Sequence, residues 1–134
     1  MTNQLYDLGR EGILDATINM NSGDIRTMLV KSTYSFNQAH KFLADIGSVD
    51  NGRSSALGTK TYTGGVFDAA DTTITATAAV ACNALILFLH TGSDATARVI
   101  AYMDVVTGLP MTPAASGVVN IPWDNTAGLK IFKL

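Results

Sequence analysis

A chain of 134 residues has the length of one ordinary domain, enough to bury roughly two thirds of the surface its unfolded form exposes. Only 15% of the residues are charged, against about 25% in typical soluble domains, and the net charge is −2 with a mean hydropathy of +0.22. This balance excludes the basic field that nucleic-acid backbones require and predicts apolar surface of the kind that marks contacts between subunits.

In chain order, Leu5-Tyr-Asp-Leu-Gly-Arg-Glu-Gly-Ile-Leu14 is turn-like and mixed in polarity, and residues 1–12 are read as a contact arm. A first strand is predicted over Ile13 to Met20, with Leu14, Ala16, Ile18 and Met20 on one face. Asn21-Ser-Gly-Asp24 turns it into a second strand, Ile25 to Lys31, which is expected to pair back as a hairpin. The apolar positions Phe36, Ala39, Phe42, Leu43 and Ile46 are spaced by three and four, which predicts the one short helix. Gly47 and the turn Asp50-Asn-Gly-Arg53 end it, Gly52 supplying a positive φ. Ser54 to Tyr62 is read as an edge strand or extended loop.

Five strand-like runs follow: Thr72 to Thr77, Ala81 to His90, Arg98 to Val105, Val118 to Trp123 and Leu129 to Phe132. The stretch Ala84 to Leu89 is apolar on both faces and is expected to be central, in an antiparallel pair with a half-exposed Arg98–Val105 strand. Thr107-Gly-Leu-Pro-Met-Thr-Pro113 holds two of the three prolines and is read as a loop of connection or contact. The last sixteen residues read as two strands joined by a turn, with the final residue part of the fold. The expected architecture is a single mainly β domain over residues 1–134, an antiparallel sandwich or barrel-like core with one short helix.

The chemical inventory is thin. His40 and His90 sit in no motif that would gather a nucleophile and a carboxylate, and there is no His-x-x-x-His or Cys-x-x-Cys spacing for a metal. Asp68-Ala-Ala-Asp71 and Asp45 to Gly52 are read as turns, not calcium loops, and Gly9-Arg-Glu-Gly12 and Gly64-Gly65 lack the phosphate-loop spacing. Cys82 among small apolar neighbours reads as a buried hydrophobe, and Trp123 as a core plug at a strand end. The longest apolar run has six residues, Ala84 to Leu89, whereas a bilayer helix needs about twenty. Met1-Thr-Asn-Gln-Leu5 has no secretion-signal character, so the chain is expected to be made and kept in the cytoplasm unless an assembly carries it out. The reading is non-enzymatic, without cofactor or metal, and with neither nucleic acid nor membrane as a direct partner.

Taken together, Leu5 to Leu14, Asp24-Ile-Arg-Thr-Met-Leu-Val30, Phe42-Leu-Ala-Asp-Ile46, Arg98-Val-Ile-Ala-Tyr-Met-Asp104, Thr107-Gly-Leu-Pro110, Trp123-Asp-Asn125 and Lys130-Ile-Phe-Lys-Leu134 resemble a family of small tailed-bacteriophage virion structural proteins. The resemblance runs over nearly the whole chain and carries no catalytic residue. It implies a copy-rich part of the particle, a capsid decoration or cement protein on the capsid surface. Its expected partners are the major capsid protein and itself, as a dimer or trimer. The expected contact residues are Leu5, Tyr6, Leu8 and Arg10 in the arm and Leu109, Pro110 and Met111 in the loop. A tail or neck component of the virion is the alternative. A carbohydrate-binding module would need an aromatic platform, for which Tyr34, Tyr62, Phe67 and Trp123 are dispersed in sequence.

Overall fold

The run Cys82-Asn-Ala-Leu-Ile-Leu-Phe-Leu89 can bury both faces of a strand at once, and the computed structural model, which describes residues 3–123 and 131–134, places it at the centre of the molecule. In chain order the elements are β1 (Gln4–Leu5), α1 (Asp7–Leu14), β2 (Ile25–Lys31), a 3₁₀ turn (Leu43–Ile46), β3 (Asp50–Arg53), a 3₁₀ turn (Thr63–Gly65), β4 (Val66–Phe67), β5 (Thr72–Thr75), β6 (Cys82–Leu89), β7 (Val99–Met103), β8 (Val118–Ile121) and β9 (Phe132–Lys133). A five-stranded sheet of order β1-β7-β6-β2-β3 forms the centre, with the pairs β4-β9 and β5-β8 beside it. Every pairing is antiparallel. The fold is mainly β, as the period-two patterning predicts, and the described residues hold one short α-helix.

Alternation along the central strands divides the core in two. Leu85 and Leu87 of β6, with Ile25 and Leu29 of β2 and Ala101 and Met103 of β7, face a cluster completed by Ile74, Val119, Ile121, Phe67, Trp123 and Ile131. Ala84, Ile86 and Phe88, with Met28, Val30, Val99 and Tyr102, face a second cluster built from Tyr6, Tyr34, Leu43, Ile46 and Val49. Each fully buried side chain of this size contributes about 1.5–3 kcal/mol relative to exposure. The small strand pairs therefore close one face of the sheet, and the segment Tyr34 to Val49 closes the other.

The central position of β6 and its pairing with β7, Ile86 opposite Tyr102 and Leu87 opposite Ala101, agree with expectation. β7, however, is buried on both faces along its whole length, not half-exposed. The reason is α1, whose backbone packs on β7 so closely that a Cβ on Gly9 would lie 2.7 Å from the Ile100 carbonyl oxygen.

Four further expectations are corrected. There is no strand over Ile13 to Met20: Ile13 and Leu14 end α1, and the residues after them form turns held by Asp15 and Asn19, whose side chains accept from the Thr17, Asn21 and Ser22 amides. β2 consequently has no hairpin partner before it and pairs instead with β6 and β3. The helix expected over Phe36 to Ile46 reduces to the 3₁₀ turn Leu43–Ile46, ended by Gly47 at φ 79°, while the α-helix lies at Asp7–Leu14. Asp50 to Arg53 is a strand carrying an irregularity, not a free turn, although Gly52 does have a positive φ of 124°.

Ser54 to Lys60 runs as an irregular segment without strand pairing. The closing strands belong to different pairs, β8 to β5 and β9 to β4, and the turn expected between them lies outside the described residues, as do Leu129 and Lys130. The Leu134 amide donates to the Gly65 carbonyl at 3.0 Å.

Candidate interaction surface

Of the seven expected contact residues, two are core. Leu5 sits in β1 opposite Ala101 and is 6% exposed, and Tyr6 is fully buried. The Tyr6 amide donates to the Ile100 carbonyl at 3.0 Å, its ring stacks at a tilt on Phe36 with centroids 5.0 Å apart, and its hydroxyl shares a 2.9 Å hydrogen bond with that of Tyr34. The segment read as an arm is thus built into the sheet. Apolar residues at the start of the chain serve the fold, and nothing in their sequence distinguishes an arm from a short edge strand.

Leu8 is half-buried, its carbonyl accepting from the Arg98 guanidinium, and Arg10 is exposed, pairing with Asp7 at 3.2 Å. Leu109 packs partly against the core; Pro110, exposed, follows a cis peptide bond. Met111 is tied to Cys82 by two backbone hydrogen bonds of 2.7 and 2.8 Å. Of the seven expected contact residues, Leu109 alone lines the neighbouring recess.

Beside this loop lies a recess of about 310 Å³, lined in part by Asn3, Asp104, Val105, Leu109, Trp123 and Ile131. Its rim is held by the Asn3 side chain, which accepts from the Val105 amide at 2.9 Å and donates to the Val105 carbonyl at 3.3 Å. Trp123 forms a wall: it is 4% exposed and its indole N–H donates to the Ala70 carbonyl at 3.2 Å, so the core-plug reading holds. The lining is mixed: Met103, Val106, Leu109, Pro122 and Ile131 give it an apolar wall, and Asn3, Asp104 and Thr107 give it polar groups, an arrangement that could receive a side chain of a partner. Val105, at the recess, is 55% exposed, and away from it Leu14 is 85% and Val118 66% exposed; sequence patterning has no means of separating these from core positions of the same residue type.

The remaining groups with chemical potential serve turns and packing. His40 Nδ1 lies 3.0 Å from the Tyr34 hydroxyl, and the His90 amide donates to the Asp24 carbonyl. Asp45 accepts from the Phe42 and Lys41 amides, which hold its carboxyl below the ordinary range, and Asp71 accepts from the Trp123 amide. Cys82 is fully buried, and burial pushes its thiol up. Among the described residues no group of three His, Cys, Asp or Glu could hold a metal, and no helix is long and apolar enough to cross a membrane. No protein-family model, no curated protein and no solved structure matches this chain.

Proposed function

We propose that this chain is a non-enzymatic structural protein of a tailed-bacteriophage virion, a decoration or cement protein that binds the outer capsid lattice and stabilises the head. The observation that carries the reading is the set of large apolar side chains left on the surface of a charge-poor chain, Leu14 at 85%, Val118 at 66% and Val105 at 55% exposure. Such surface is costly in water and gains free energy when covered by a partner. The resemblance of the chain to small virion proteins supplies the kind of partner, the major capsid protein and further copies of itself.

A cement protein acts by mass action: binding the assembled lattice and not its free subunits, it stabilises the lattice in proportion to its occupancy. The contact set that suits this role is Leu14, Val105, Pro110 and Val118, in place of Leu5 and Tyr6, whose side chains are committed to the core. The deciding measurement is copy number on purified particles, with heads separated from tails. Recovery with heads at a fixed ratio to the major capsid protein, and lower heat resistance of heads stripped of it, are expected. Recovery with tails at low copy would replace this reading by a tail or neck role, and absence from particles would sink both.

A further inference from the structure

Asn51 and Gly52 form the dipeptide in which an asparagine side chain is most open to attack by the backbone, because glycine leaves the following amide nitrogen unshielded. In the fold this pair is held still. Asn51 is fully buried, and its side-chain amide uses every hydrogen-bonding position: Oδ1 accepts from the Thr77 hydroxyl and the Ala78 amide, each at 2.9 Å, and Nδ2 donates to the Ala78 carbonyl at 3.1 Å and approaches the Cys82 Sγ at 3.2 Å. The Gly52 amide donates to Asp50 Oδ1 at 2.7 Å, and Asp50 is itself gripped by Arg53 at 2.6 Å. Ring closure requires the Asn51 Cγ to swing onto the Gly52 nitrogen. That movement breaks all four side-chain contacts of a fully buried amide.

We propose that Asn51–Gly52 is a latent deamidation site gated by the fold: inert while β3 is seated, reactive once β3 opens, and unable to be reseated after reaction. In the opened chain the Gly52 nitrogen, its proton lost to hydroxide, bonds to Asn51 Cγ. The Cγ–Nδ2 bond then breaks, ammonia leaves and a succinimide remains. Nδ2 takes its third proton from water as it leaves, regenerating the hydroxide, and water then adds to either ring carbonyl and breaks its bond to the Gly52 nitrogen, giving isoaspartate or aspartate. Both products turn a carboxylate toward the Ala78 carbonyl and the Cys82 sulfur, where the native side chain is a donor. Isoaspartate also inserts a backbone carbon ahead of Gly52, which has no room to shift, since a Cβ there would lie 2.4 Å from the Thr75 carbonyl oxygen. Opening of β3 thereby becomes a one-way exit from the folded population.

The test compares the full-length protein in native buffer and in guanidinium at mildly alkaline pH, reading isoaspartate at position 51 by peptide mapping, with the exposed Asn21–Ser22 pair as internal reference. Reaction at Asn51 is expected to be at least about 100-fold slower in the native protein than in the unfolded one, as for a site that reacts only through opening of the structure. Modified chains should collect in the fraction that fails to refold. Equal rates in the two states, no reaction at Asn51 in guanidinium, or modified chains that refold with an unchanged midpoint would each overturn the proposal. Thr77→Ala removes one contact from the exposed side and should speed the native reaction while leaving the unfolded rate alone; no acceleration would show that the clamp is not the gate.

Discussion

Arg98 is a guanidinium set 9% exposed beneath α1, donating through Nη1 to the Thr17 hydroxyl at 3.1 Å and through Nη2 to the Leu8 carbonyl, with the Phe42 ring 6.0 Å from its centre. Its planar fork ties the helix and the turn after it to β7. Arg98→Met is expected to cost about 2 kcal/mol, the scale of hydrogen bonds made by a charged group, and Arg98→Lys to recover little because a single ammonium cannot span both acceptors. Urea titration of the two variants checks this. A second expectation concerns acid. Hydrogen bonding to Arg53 holds the Asp94 carboxyl below its ordinary range, and Arg26 does the same for Asp24. The folded value lies below the unfolded one, so the stability from these groups is complete above about pH 4 and drains as pH falls through the lowered folded values. Arg53→Met should therefore shallow the acid limb of stability; with Asp94 half exposed the change is small, and an unaltered limb would remove the pair from the account. The alkaline side runs the other way. Burial raises the phenols of Tyr6, Tyr34 and Tyr102, so stability is lost as pH climbs above about 10, and their tyrosinate absorbance should rise together with unfolding rather than before it.

At the scale of elements, α1 shows how packing overrides local propensity. Gly9 and Gly12 make the segment look like a turn, since glycine in a helix interior costs roughly 1 kcal/mol relative to alanine. Both are buried, and both are needed for approach: a Cβ on Gly9 would meet the Ile100 and Val99 carbonyl oxygens at 2.7 and 2.9 Å. Gly9→Ala is therefore expected to destabilise despite its better propensity, a sign opposite to that in an exposed helix, and thermal melting decides it. The converse error lies at Phe36 to Ile46. There the spacing of three and four comes from Phe36, Leu43 and Ile46 turning inward from an irregular segment toward Tyr6 and Tyr102, with ring centroids 5.0 Å apart for Phe36–Tyr6 and Phe36–Tyr102. β6 was legible because a short run with no polar face has few other places to go. Leu87→Ala should cost about 2–5 kcal/mol, the range for emptying a closed core position.

For the whole molecule, the proposed contacts separate surface from core. Val118→Asp and Leu14→Asp are expected to weaken self-association and particle binding while leaving the melting temperature within about 2 °C of the parent, because neither residue is buried. Light scattering with a parallel melt distinguishes this from misfolding, and unchanged binding by both variants would move the interface elsewhere. What the sequence by itself determined is the class of the molecule: period-two patterning, an unbroken apolar run at Ala84 to Leu89 and few charges dictate an antiparallel β core with β6 inside. Only the tertiary structure decided which apolar residues remain outside, that Leu5 and Tyr6 join the sheet, and that Asp7 to Leu14 coils into a helix. The physical reason is that periodicity reports which face of an element is apolar, whereas burial and close approach depend on partners distant in sequence, such as Ile100 for Gly9 and Ala78 for Asn51.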